Sequence, residues 1–274
     1  MQVWVNGQLL ERPDQPVLAV LDHGFTVGDG VFEAVKVVDG TPFALTRHLA
    51  RLGRSARGLG LSDPDDAAVR RGVAAVLAAA PVALGRLRIT WTAGPAPMGS
   101  GRAEAAAPTL VVAAAESTPY EPTTAVVTVP WPRNERGALA GVKTTSYAEN
   151  VVALAEARRH GASEAIVGNT AGNLCEGTGS NVFYVVEGQV RTPSLASGCL
   201  AGITRELLLE WSDAVEIDEP MSVLERADEI FLVSTTRDVQ PVARCDERKL
   251  VAPGPLTQRA MATWAEREPQ DSDP

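Results

Sequence analysis

Lysine is almost missing from this sequence. Of its 25 lysine and arginine residues only Lys36, Lys143 and Lys249 are lysines. Arginine can replace lysine as a surface cation, but its guanidinium never deprotonates, so it cannot serve as an amine nucleophile. The three lysines are therefore worth weighing one by one. Cysteine is equally scarce: Cys175, Cys199 and Cys245 are an odd, scattered set and read as reduced, partly buried thiols. Neither they nor the dispersed His23, His48 and His160 show metal-ligand spacing, so no metal site is expected. No run of 18 uncharged apolar residues occurs, which excludes a membrane-spanning helix. The N-terminus has no basic segment followed by an apolar run, so a secretory signal is not expected and a cytoplasmic location is. A basic excess is also lacking. The net charge of −9 argues against a nucleic-acid partner, whose phosphates attract cations.

What remains is an ordinary globular composition, 45% hydrophobic and 22% charged, in 274 residues that suffice for two modest domains. Short strands and tight turns dominate residues 1–45, with turn pairs at Asn6-Gly7 and Asp39-Gly40. Lys36 lies in the strand 31–38, where alternation sets it opposite Val35 and Val37 as a solvated charge. Helices are expected from Thr46 and over 65–80, then strands over 86–92 and 109–115. The aperiodic segment 117–124 holds two prolines and is the candidate linker between domains 1–116 and 125–274. Beyond it strands are expected at 125–129, 164–167, 181–186, 189–192, 229–233 and 241–243. Helices are expected at 148–160, 204–211 and 257–267, and a frayed tail at 268–274. This mixed order favours an α+β fold over regular βαβ alternation.

Four motifs carry chemistry. Lys143 lies between the apolar stretch Leu139–Val142 and an alanine-rich helix, whereas Lys249 sits in the polar turn Asp246–Lys249. An amine in less polar surroundings becomes a usable nucleophile toward carbonyls. In Gly198–Glu206 a helix starts just after Gly202, and free N–H groups at a helix start suit a phosphate; an ordinary cap by Thr204 is the plainer reading. Glu176, amid small residues before an apolar strand, needs a cation if buried and is a turn residue if not. The hydroxyls of Ser234, Thr235 and Thr236 end a strand where they either donate to an anion or simply form a turn. A dinucleotide site at Val27-Gly28-Asp29-Gly30 is excluded because no Gly-x-Gly-x-x-Gly spans a strand–helix turn there.

In this order the motifs resemble the class IV aminotransferases, the fold-type IV pyridoxal-phosphate enzymes. The resemblance runs from His23–Glu33 through His48–Leu52, Ala140–Lys143, Cys175–Gly177 and Gly202–Arg205 to Ser234–Thr236. It implies an α+β two-domain fold, with a small N-terminal α/β domain, a larger C-terminal domain built on a strand pseudo-barrel, and a homodimer. It also implies pyridoxal 5'-phosphate held as a Schiff base by Lys143, which then carries the proton at the substrate Cα. Glu176 would pair with the ring nitrogen. Arg51, Thr235 and the N–H groups of Ile203 and Thr204 would hold the phosphate. Tyr147 would bond the ring hydroxyl, and Thr236 the substrate carboxylate. Small-molecule amino acids and 2-oxo acids would be the only partners besides a second copy of the chain.

Within the family, D-amino-acid aminotransferases hold the substrate carboxylate with an Arg-x-His pair in the loop that here reads Ala93–Arg102 and lacks it. Phe32, taken as substrate-facing, stands where they offer a tyrosine. Alternation in Arg86–Trp91 puts Arg86 and Arg88 on one face, so Arg88 is the candidate carboxylate cation, with Arg133 as a second, and a structural salt bridge is the plainer reading of either. D-amino-acid transamination is the expected activity. Aminodeoxychorismate lyase, suggested by the 94–100 loop, Arg47-His48 and the 143–150 segment, is the alternative, and a branched-chain L-amino-acid enzyme comes third.

Overall fold

The computed structural model describes residues 1–80, 82–104 and 107–274. They form two compact units: residues 1–118, 142–146 and 272–274 make the first, and 119–141 and 147–271 the second.

In the first unit, strands β1 (Gln2–Val5) and β2 (Gln8–Leu9) precede a one-turn helix α1 (His23–Thr26). Then come β3 (Gly30–Val38), β4 (Thr41–Pro42), helices α2 (Leu45–Gly58) and α3 (Asp66–Ala79), and strands β5 (Leu84–Thr92) and β6 (Thr109–Glu116). The strands make one antiparallel sheet in the order β2-β1-β6-β5-β3-β4. Asn6-Gly7 and Asp39-Gly40 turn the first and second hairpins with both residues at positive φ, the mirror-image turn that matches strand twist. One sheet face supplies Val31, Val35, Val37, Leu87 and Ile89, which pack with Leu45, Leu49 and Leu52 of α2 and Val69, Val73 and Val76 of α3. Each such burial removes apolar surface worth about 1.5–3 kcal/mol from water.

In the second unit, β7 (Thr124–Thr128) leads to α4 (Ala148–Arg159), β8 (Glu164–Gly168), β9 (Leu174–Gly177), β10 (Asn181–Val186) and β11 (Gln189–Thr192). There follow α5 (Ile203–Trp211), β12 (Val215–Glu216), α6 (Val223–Arg226), β13 (Glu229–Ser234), β14 (Asp238–Cys245), β15 (Arg248–Lys249) and α7 (Pro255–Arg267). The strands curl into the expected pseudo-barrel in the order β12-β11-β10-β13-β14-β7-β8-β9, with β15 on β14. The mixed α+β class agrees with the sequence pattern. Among the described residues no helix is long and apolar enough to cross a membrane.

Four local readings change. Lys36 is buried at 7% exposure, not solvated, because alternation sets the face a side chain takes and not how much of that face meets water. The tail is docked: Ala44 donates its N–H to the Ser272 carbonyl, and Thr46 donates both N–H and hydroxyl to Asp273. This carboxylate caps α2, whose own N-cap, Ala44, has no side chain able to do so. Residues 174–177 form β9 with Glu176 buried, so of the two readings of Glu176 the turn one does not hold. The N-cap of α5 is Gly202, not Thr204.

Candidate active site

In the first unit, residues 142–146 lie against the start of β3. Phe32 donates its N–H to the Lys143 carbonyl at 3.0 Å, Lys143 donates its own to the Ser55 hydroxyl at 3.2 Å, and Thr145 donates to Gly30 at 2.8 Å. With the backbone held on both sides, the Lys143 side chain places Nζ 4.4 Å from the centroid of the Phe32 ring. The Arg88 guanidinium lies 3.9 Å from the same centroid. Pairing of β3 with β5 sets Phe32, Ala34 and Lys36 opposite Thr90, Arg88 and Arg86, on the sheet face away from α2 and α3. That face thus carries three cations on a floor that includes Ala34 and, from β6, Ala113 and Ala115. Arg102, the one cation of the Ala93–Arg102 loop, is occupied with both oxygens of Asp29 and the carbonyls of Leu59 and Gly60.

On the other face Glu33 is fully buried. Helical spacing stacks His48, Arg51 and Ser55 on one side of α2. Arg51 gives Glu33 two hydrogen bonds, Nε to Oε1 at 2.8 Å and Nη2 to Oε2 at 2.6 Å, and His48 Nδ1 lies 2.7 Å from Oε2. Burial pushes the Glu33 carboxyl up, but the charge and hydrogen bonds of Arg51 and His48 more than offset it and hold it at about 2. Burial dominates at His48 and lowers its pKa, so the ring is neutral at pH 7 and donates Nδ1–H to the carboxylate. The sequence motifs assign Glu33 no role and use His48 only within Arg47-His48. The signal was there: a carboxylate in phase with Val31, Val35 and Val37 must be buried, and a buried carboxylate needs cations.

In the second unit, β9 carries Glu176 beside Val167 of β8. Its Oε2 accepts the Leu200 N–H at 2.9 Å, and its Oε1 lies 3.4 Å from Arg133 Nη2. Arg133, a candidate for the substrate carboxylate, is thus engaged by Glu176. The same unit holds Tyr147, half-buried at the N-cap of α4. Ile203 and Thr204 are the first, buried residues of α5. A Cβ on the N-cap Gly202 would come within 2.0 Å of Asn181 Oδ1, so only glycine permits this approach. The first N–H groups of a helix have no intrahelical partner, and Gly202 has no side chain to cap them. Thr235 and Thr236 occupy the turn between β13 and β14. Arg237 pins that turn by an ion pair with buried Glu164 at 3.5 Å, a hydrogen bond to Gln240 and stacking on Tyr120 at 4.5 Å.

The three cysteines are buried and free, and burial raises each thiol, Cys199 to about 11 and Cys245 to about 12, so none is a nucleophile at neutral pH. The remaining groups fit pyridoxal phosphate chemically. The first unit supplies an amine with arginines, and the second a carboxylate plus a glycine-capped helix start.

The family model for amino-transferase class IV matches residues 30–245. A putative branched-chain-amino-acid aminotransferase of Methanocaldococcus jannaschii is 31% identical, over 90% of this chain and 89% of that protein. A D-alanine aminotransferase of Bacillus licheniformis is 30% identical, over 95% of each. Among solved structures, a hypothetical aminotransferase from Mycobacterium tuberculosis in its PLP-bound form is 27% identical. It superposes with a TM-score of 0.85, covering 97% of this chain and 98% of that one.

Proposed function

The chain belongs to the amino-transferase class IV family, and from that premise we propose that it exchanges the amino group between a D-amino acid and a 2-oxo acid, pyruvate or 2-oxoglutarate. Pyridoxal phosphate is the family's cofactor, and when bound it supplies the electron sink that lets a substrate Cα–H ionise. Lys143 is assigned as the amine that holds it and as the base that takes the Cα proton and returns it to the other carbon. Glu176 is assigned to the ring nitrogen and Tyr147 to the ring hydroxyl. Arg51, with Nε and Nη2 fixed by Glu33, takes the phosphate together with the N–H groups of Ile203 and Thr204 and the Thr235 hydroxyl. Thr236 helps orient the substrate carboxylate.

The observation that carries the substrate assignment is the shared Phe32 ring, with Arg88 at 3.9 Å and Lys143 Nζ at 4.4 Å from its centroid. A carboxylate gripped by Arg88 leaves the adjacent Cα within reach of an amine on the same ring. The surrounding face favours small or acidic substrates over branched aliphatic ones. Arg86 and Arg88 are exposed and attract carboxylates, whereas a branched side chain gains from apolar enclosure that a cationic face does not provide.

The test is a panel of D- and L-amino acids with pyruvate or 2-oxoglutarate as acceptor. D-alanine or D-glutamate turnover is expected, with KM raised about tenfold or more in Arg88→Ala, equivalent to one lost charge-assisted contact. Turnover confined to L-branched-chain substrates would sink the proposal. So would pyruvate release from aminodeoxychorismate without any D-amino-acid turnover, which makes the protein a lyase.

A further inference from the structure

We propose that Arg133 is a positioning residue for Glu176, keeping that carboxylate ionised and aimed so that a preformed anion meets the cofactor ring nitrogen. The inference rests on the assignment of Glu176 to that nitrogen and is independent of which amino acid is the substrate.

Burial alone works against Glu176. A carboxylate at 9% exposure has lost most of its solvent, so an anion there that pairs with a cationic ring nitrogen needs partners within the protein. Two contacts supply them. The Leu200 N–H fixes Oε2 at 2.9 Å, and the Arg133 guanidinium stands 3.4 Å from Oε1. Together they hold both oxygens and so set the orientation of the carboxylate plane.

Arg133 is itself held. Its backbone donates to the Gly168 carbonyl at 2.8 Å, beside a parallel bridge to Asn169. Its Nη1 donates to Asn150 Oδ1 at 3.3 Å, while Asn150 in turn donates to the Thr178 carbonyl. Its Nε is buried with no hydrogen-bond partner. Leaving a buried donor unsatisfied costs free energy, so the side chain is placed here for the charge it brings to Glu176 rather than for a full set of bonds. Cys175 and Cys199 are neutral thiols, and Glu149 is an exposed carboxylate 3.8 Å from Arg133 that shares the cation without adding one.

The sign of the effect is fixed. A nearby cation depresses a carboxyl pKa, so the anion persists to lower pH with Arg133 than without it. The test follows cofactor retention by the holoenzyme, read from the absorbance of protein-bound pyridoxal phosphate between pH 8 and pH 4.5, with no amino substrate present. Arg133→Gln is expected to raise the acid midpoint of retention by about one pH unit, and Arg133→Lys by clearly less, because the cation remains. In a Glu176→Gln background Arg133→Gln should cause no further shift, which a general structural role would not produce. Should Arg133→Gln not fold, Asn150→Ala, which loosens the guanidinium, is expected to move the midpoint upward by a smaller amount. An unmoved midpoint, or an equal shift with and without the Glu176 carboxylate, would overturn the proposal. Wild-type retention by Glu176→Gln itself at every pH would overturn it at its root, since Glu176 would then not be the cofactor's partner.

Discussion

Glu33→Gln isolates the buried charge cluster of the first unit. The substitution keeps the shape of the side chain and removes its charge, leaving the Arg51 guanidinium buried beside a neutral amide. The magnitude follows from the carboxyl itself, which moves from an ordinary 4.5 to about 2 in the folded protein. A shift of that size corresponds to about 3 kcal/mol at neutral pH. The cost of orphaning a buried ion-pair partner, about 3–5 kcal/mol, is of the same order. Because the folded pKa is depressed, the stabilisation is complete above pH 4.5 and is lost as pH falls through the folded value. By pH 3.5 it has declined to about 2 kcal/mol. Urea unfolding of the apoprotein, followed by fluorescence of Trp4 and Trp91 in the same unit, measures it directly. The wild type should exceed Glu33→Gln by about 3 kcal/mol at pH 7, with the gap narrowing toward acid. A gap below about 1 kcal/mol, the size of one ordinary hydrogen bond, would mean that the Glu33–Arg51–His48 cluster is energetically incidental.

Three further outcomes are expected. Lys143→Ala should abolish transamination with little loss of secondary structure by circular dichroism, and borohydride treatment of the wild type should attach the chromophore to Lys143; retained turnover in the variant contradicts its assignment. Gly202→Ala should force Asn181 away from the start of α5, where a Cβ would lie 2.0 Å from Oδ1. It should weaken cofactor binding several-fold and cost about 1–3 kcal/mol in unfolding experiments, and wild-type affinity would show that the helix start tolerates a methyl group. Asp273→Ala removes the side-chain cap at the N-terminus of α2. A loss of about 1 kcal/mol is expected, and an unchanged urea midpoint would show that the tail contact is dispensable.

Much of this protein was legible without coordinates because its signals are local. Hydrophobic alternation and helical spacing set the elements, and turn pairs such as Asn6-Gly7 set hairpins by a conformation that Asn and Gly tolerate. Rarity singled out Lys143, since no arginine can do an amine's work. The ordered motifs around Glu176 and Gly202 pointed to the family. Partners distant in sequence were not legible. Lys36 looked solvated because alternation tells which face a side chain takes, not whether that face is covered. Asp273 caps a helix that begins 228 residues before it in the chain, a pairing that no local periodicity encodes. Residues 142–146 belong with the first unit although the chain on both sides belongs to the second, and the hydrogen bonds that join them to Gly28, Gly30, Phe32 and Ser55 reveal why. The ion pair of Arg133 with Glu176 was decided in the same way. Residue type and spacing determine which chemistry is available. Charge pairing over long sequence separations is set by packing, and it fixes which groups are spent holding others in place.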